Sequence, residues 1–314
     1  MEPHNPSSIQ FANFLAHLSS NLSLSASSVK VHRAAISTTL KQIGGPSFSE
    51  DPLLGNIVQA AALREARNPK RVPSWDLFLV LAALRLPPFE PIRETPLKFL
   101  TLKTAFLVSL ALGRRSSEVH ALSGLPKDIA YEPDGSISLR FLPEFLAKNQ
   151  APGDPSPILL IKPLSSILGP DDEDRFLCPV RALRLYRKRT NASRAQRRRL
   201  FLSWNVNYPQ DIRRSTLARW IAEVISSAYA KSDAGLPAIT PKPHEVRAWA
   251  ASLAFSHSNN LQAVLDAAYW RNPGTFIHFY LRDVSRLRED GSRGISSAVV
   301  AQQTLSRPGT STRH

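Results

Sequence analysis

The stretch IAYEPDGSISLRF (residues 129–141) contains two short runs, Ile129 to Tyr131 and Ile137 to Phe141, on either side of Pro133-Asp134-Gly135. Proline presets φ and glycine accepts a left-handed backbone, so the segment reads as a hairpin, to which Ile158 to Ile161 adds a third strand. Everything around it follows a helical period. Upstream, apolar residues recur at helical spacing from Trp75 to Leu84, break at Pro87-Pro88, and resume from Leu97 to Leu112. Downstream, helical patterns occupy 179–190, 215–231, 244–257 and 260–268, with a last one near 274–283. The expected fold is mainly α with one small antiparallel β-sheet inserted.

Nearer the start, Ile9, Phe11, Phe14, Leu15 and Leu18 give one apolar helix face. Val29, Val31, Ala35, Ile36, Leu40 and Ile43 give a second, with Ser27 or Ser28 placed to cap it and Gly44-Gly45-Pro46 to break it. A third pattern, Leu53 to Ala66, runs into Arg64, Arg67, Lys70 and Arg71 before Pro73, a basic, proline-ended stretch that reads as an interdomain linker. The tail from about residue 291 is rich in Ser, Thr, Gln and Arg without periodicity, and is expected to be flexible.

Composition narrows the function. With 43% hydrophobic residues among 314, the chain has the makings of a globular core. The 40 Lys+Arg exceed the 25 Asp+Glu by 15, a surplus that points to a polyanionic partner, nucleic acid first. No run approaches the roughly 18 apolar residues of a membrane span. The start, MEPHNPSSIQ, lacks the layout of a signal peptide, so the chain reads as intracellular. Cys178 is the only cysteine, and no Cys/His cluster has zinc spacing.

Three segments carry candidate chemistry. In LGRRSSEVHAL (112–122) two arginines end an apolar helix; in PHEVRAWAASLAF (243–255) His244 and Arg247 are three apart, hence on one helix face; in AAYWRNPGTFIHFYLRD (267–283) Trp270 and Tyr280 flank a turn. Singly, each has an ordinary explanation: a solvated charge at a helix end, a surface pair, a core aromatic. Their order and spacing together say more.

GRRSSEVHAL resembles the first-arginine box of tyrosine recombinases, roughly Gly-x-Arg-x-Ser-Glu-x-x-x-Leu. Arg115 then falls on the catalytic arginine, Ser117-Glu118 on the Ser-Glu pair and Leu122 on the closing leucine. His244-Glu-Val-Arg247 is similar to the family's His-x-x-Arg box, and Trp270 through Tyr280 to its closing box. Lys148, in FLAKNQ, occupies the place of the lysine that the family carries after the second strand of its sheet. The likeness is greatest to the recombinases of DIRS-type retroelements, through PSWDL (73–77), PPFEP (87–91), CPVRAL (178–183) and the ending FIHFY (276–280). It spans roughly residues 9 to 290. Two departures stand out: Trp270 precedes Tyr280 by ten residues rather than nine, and only about three helices fit before residue 70, where the family commonly has four or more.

The resemblance implies a helical DNA core-binding domain over 1–70, with fewer helices than the family commonly has, a catalytic domain over 71–290, and a flexible tail over 291–314. It implies that Arg115 and Arg247 neutralise charge on a phosphodiester, that Tyr280 attacks it, that His244 takes the phenol proton and that Lys148 protonates the departing 5′ oxygen. Trp270 would donate an indole hydrogen bond. Neither metal nor ATP is implied; the partners implied are double-stranded DNA and three further copies of the chain on two duplexes, in a nucleus or, for a prokaryote, in the cytoplasm or nucleoid. Three other readings stay open: a domesticated DNA-binding protein that no longer cuts, a relaxing topoisomerase, and a basic RNA-binding protein. For the basic run from Arg184 to Arg199, backbone phosphate contact, a solvated helix face and a nuclear-import signal are all compatible with the sequence.

Overall fold

The computed structural model describes residues 4–64, 74–148, 150, 151, 153–166, 173–205, 209–231, 239–258, 260–267, 277 and 281. The chain divides into two compact units, Met1–Pro69 and Lys70–His314. The expected basic linker and flexible tail, and nearly all of the expected helix at 274–283, lie outside the described residues.

Among the described residues the first unit holds three helices, α1 (Ser8–Ser20), α2 (Ala26–Gln42) and α3 (Pro52–Arg64). Ser7 caps α1 through a reciprocal pair: its hydroxyl accepts from the Gln10 N–H while the Gln10 side chain accepts from the Ser7 N–H. The cap of α2 is Ser25, not Ser27 or Ser28, because the helix starts one residue later at Ala26 and the Ser25 hydroxyl accepts from the Ser28 N–H. Phe11, Leu15, Leu18, Val29, Leu40, Phe48 and Leu54 form the core. Ile9, Phe14, Val31 and Ile43, read as parts of the buried faces, are exposed instead. Three helices of this length cover a narrower stripe than the apolar residues available.

In the second unit α4 (Leu77–Leu84) precedes α5 (Leu97–Leu112), which is buried all round apart from its first turn and forms the axis of the core. Its buried polar groups are satisfied. The hydroxyls of Thr101, Thr104 and Ser109 each donate 2.7 Å to the carbonyl four residues back. Lys103, with no exposure, donates 2.8 Å to the Leu84 carbonyl and pairs with Glu90, which Arg181 grips with both guanidinium ends at 2.7 and 3.0 Å. Burial pushes the Lys103 ammonium down to about 8, against the pull of Glu90.

The short α6 (Ser116–His120) leads to the expected sheet: β1 (Ile129–Tyr131), β2 (Ile137–Leu139) and β3 (Leu159–Ile161), antiparallel in that order. Ile129 pairs with Leu139 and Ile137 with Ile161, which puts the apolar residues of the strands on the core side. Gly135, at φ +86°, makes the β1–β2 turn possible. The remaining helices are α7 (Pro179–Arg189), α8 (Arg214–Ala230), α9 (Glu245–Ser258) and α10 (Leu261–Ala267), within a residue or so of the sequence reading. Trp75, Trp220 and Trp249 are buried in this core, and Trp204 stacks on Trp220 at 4.8 Å. Among the described residues no helix is long and apolar enough to cross a membrane.

The basic run after Arg181 is put to structural use. Arg184 donates to the Gly135 carbonyl (3.0 Å), Arg187 to that of Gly124 (2.7 Å), and Arg189 to that of Thr95. Arg194 donates to the Thr190 hydroxyl (2.8 Å) and the Leu200 carbonyl (3.0 Å), and Arg199 to the His120 carbonyl (2.9 Å). These guanidiniums fasten α7 and the strand-like 198–203 segment to their surroundings.

Candidate active site

The site grows from the end of α5. Gly113 adopts φ +57°, a left-handed turn that a residue with a side chain rarely takes, and its N–H donates to the Ser109 carbonyl. The chain thereby reverses and delivers Arg114 and Arg115 at the end of the buried helix, with Arg115 as the residue that precedes α6. Glu118, one turn on and 1% exposed, holds both: its Oε1 lies 2.7 Å from Arg115, and its Oε2 lies 3.8 Å from Arg114, an ion-pair distance. The sequence reading matched Glu118 to the family pattern without giving it a task. Its burial between two guanidiniums orients them.

The second contribution comes from α9. Glu245 begins this helix and accepts from the N–H and hydroxyl of Ser74 at 3.2 and 2.5 Å, while Val246, Trp249, Ala250 and Leu253 enter the core. Trp249 packs against Trp75 (5.9 Å) and Phe78 (6.4 Å). With the helix so anchored, Arg247 is 3% exposed and His244, in the turn before it, is exposed.

Arg115, His244 and Arg247 line one cavity of about 170 Å³, together with Arg114, Arg214 and the residues Ser109, Ser116 and Ser117. Among the described residues four guanidiniums and an imidazole converge there, and no carboxylate is among those that line it. An enclosure of this kind favours an anion with several acceptor oxygens, because each guanidinium offers a planar fork of donors.

Lys148 is not in this cavity. It sits, exposed, in the loop joining β2 to β3, inside a turn closed by the Gln150 N–H donating 2.9 Å to the Ala147 carbonyl. The two residues bracketing it, Ala147 and Gln150, do line a second cavity of about 100 Å³, whose other wall is Arg114, Arg115 and Glu118. The loop thus reaches Arg115 from the far side. Trp270 and Tyr280 lie outside the described residues. No group of three or more His, Cys, Asp or Glu among the described residues is arranged to hold a metal ion.

Reading the sequence missed Arg214, which starts α8 and belongs to no recognised box, and His120, which steers that helix towards the site. The imidazole donates from Nε2 to the Ile212 carbonyl (2.7 Å), so the proton is on Nε2 and Nδ1 faces Arg199 at 3.3 Å. Burial lowers its pKa, opposed by that carbonyl and reinforced by the charges of Arg199 and Arg214. It is a hydrogen-bonded strut between α6 and the entry to α8.

No protein-family profile matches the chain, and no curated protein does. Solved structures do resemble it. The XerH site-specific recombinase bound to a palindromic difH substrate, in a post-cleavage complex, is 16% identical, with a TM-score of 0.57 over 90% of this chain and 71% of that one. The same recombinase bound to difH in a pre-cleavage complex is 13% identical, with a TM-score of 0.52 over 91% and 70%. In its helices and its three-stranded sheet, the chain has the fold of the tyrosine recombinases.

Proposed function

We propose that the chain is a site-specific recombinase that cuts and rejoins DNA through a 3′-phosphotyrosine. The observation that carries this reading is the cavity that Arg115, from the α5–α6 junction, and His244 and Arg247, from the start of α9, line together, with no carboxylate among its described lining residues. Charge that builds on the non-bridging oxygens of a pentavalent phosphorus is neutralised by Arg115 and Arg247. The Tyr280 oxygen attacks phosphorus as His244 takes the phenolic proton; the bond to the 5′ oxygen breaks and Lys148 protonates that oxygen. Trp270 donates its indole N–H to a phosphate oxygen. Since one phosphoester replaces another, a second 5′ hydroxyl reverses the step on a new strand without ATP.

On this reading the first unit clamps DNA, four copies of the chain join two duplexes in the nucleus, and the nearest kin are the recombinases of DIRS-type retroelements. The test is a nicked duplex that loses its 5′ hydroxyl fragment on cutting. The wild type should accumulate a covalent protein–DNA adduct, and Tyr280→Phe should form none while binding the same duplex with nearly unchanged affinity. An adduct from Tyr280→Phe would overturn the assignment of the nucleophile. Binding without any adduct from the wild type would leave a DNA-binding protein of this fold that no longer cuts.

A further inference from the structure

We infer that Arg214 is a third guanidinium on the scissile phosphate, an inference that rests on the reading of the site as a DNA-cleaving one. Arg214 lines the same cavity as Arg115, His244 and Arg247. It differs from its neighbours in how it is held. Arg115 and Arg114 share the carboxylate of Glu118, whereas the guanidinium of Arg214 makes no hydrogen bond or ion pair among the described residues and is exposed.

Its position opposes the folding of the apo protein. Arg214 is the first residue of a helix of 17 residues, preceded by Arg213, with no acidic residue in the first turn and no side-chain cap. The positive end of the helix dipole, the charge of Arg213 and the cations across the cavity all repel it. An arginine kept there solely for structure would be replaced at a gain in stability. An anion in the cavity offsets these repulsions, because the field that repels the guanidinium attracts the phosphate, and the phosphate attracts each cation around it. Placement is deliberate in the physical sense that two hydrogen-bonded struts fix it: His120 Nε2 holds the Ile212 carbonyl two residues before it, and Asp211 accepts from the N–H groups of Arg198 and Arg199 at 3.2 and 3.0 Å. Arg247 and Arg115 then act from the floor of the cavity and Arg214 from its exposed rim, where it meets the phosphate as DNA docks.

The experiment uses the full chain and a duplex carrying its cleavage site, with binding measured across a range of salt concentrations. Arg214→Ala should lower the slope of log affinity against log salt by about one, the loss of one phosphate contact, and should leave the melting temperature without DNA unchanged or raised. An unchanged slope, or a lowered melting temperature with no change of slope, overturns the inference. In the adduct assay the variant should be slower by on the order of ten- to a hundredfold on a phosphate substrate. On a substrate whose scissile group is a neutral methylphosphonate it should match the wild type; a defect that persists there places Arg214 on a neighbouring phosphate and overturns the assignment to the scissile one. A lowered slope with no adduct from either protein keeps the phosphate contact and removes the catalytic reading. An adduct with an unchanged slope does the reverse.

Discussion

Arginines occur at high density in two regions of the second unit, and the protein uses them in opposite ways. Along α7 and the segment after it, Arg184, Arg187, Arg189, Arg194 and Arg199 donate to protein carbonyls, and Arg181 grips Glu90. Around the cavity, Arg114, Arg115, Arg214 and Arg247 converge on a volume with no carboxylate among its described lining residues. The first group closes loops; the second, on the function proposed above, receives a phosphate. Charge content alone does not distinguish them. What does is where the donors point, and that depends on contacts between residues far apart in the chain.

The sharpest way to break this contrast is to remove an arginine from each region and compare what fails. Arg115→Ala and Arg247→Ala should each slow adduct formation by on the order of 10²–10³, since each removes a donor aimed at developing charge. Loss of stability with cleavage retained would move them into the structural group. A second effect comes from Lys103, which shares Glu90 with Arg181 of α7. Burial holds its pKa at about 8 against an ordinary 10.5, so between those values the unfolded chain binds a proton that the native state has released. Stability should therefore rise with pH through that window, by on the order of 3 kcal/mol when complete, and be lost as pH falls through about 8. Urea denaturation across the window should show this rise in the wild type and not in Lys103→Met; equal slopes in the two proteins would remove Lys103 as its source.

Smaller effects sharpen the comparison further. Arg194→Ala leaves the Leu200 carbonyl and the Thr190 hydroxyl without their donor, which should cost about 2 kcal/mol of unfolding free energy. The dependence of DNA affinity on salt should not change. If the salt slope fell by about one instead, Arg194 would belong with the phosphate-binding group. The pair Arg198–Glu144 spans 2.9 Å with both side chains about half exposed, so a double-mutant cycle should find a coupling of at most about 1 kcal/mol.

Much of the fold is legible in the sequence where a single segment decides its own structure. Residues 97–112 carry apolar side chains around the whole helix circumference and are followed by a glycine, and α5 occupies that range. The alternation around Pro133-Asp134-Gly135 yields the hairpin, shortened because Phe141 leaves the ladder to bridge Leu122. In the first unit the same reasoning assigns too many residues to the core, since Ile9 and Val31 are both 66% exposed; periodicity identifies a face but not how much of it a neighbour covers. Motif spacing singles out Arg115, His244 and Arg247, and these three line one cavity. It does not single out Arg214, because nothing local to it differs from any arginine at a helix start. Lys148 was readable as a loop position, but its exposure follows from how the Ala147–Gln150 turn is braced, with Gln150 reaching Asp154.

The bonds from Ser74 to Glu245 have a consequence for how the protein can be dissected. Ser74 holds the first residue of the helix that bears Arg247, and the Asp76 N–H donates 2.7 Å to the Tyr229 hydroxyl at the end of α8. The two helices that present Arg247 and Arg214 are therefore latched by a few residues at the very edge of the second unit. A fragment starting at residue 74 retains the latch, and one starting at residue 77, though it preserves every described helix of that unit, releases it. Where a fragment of the second unit can begin is set by Ser74 and Asp76 rather than by the start of α4.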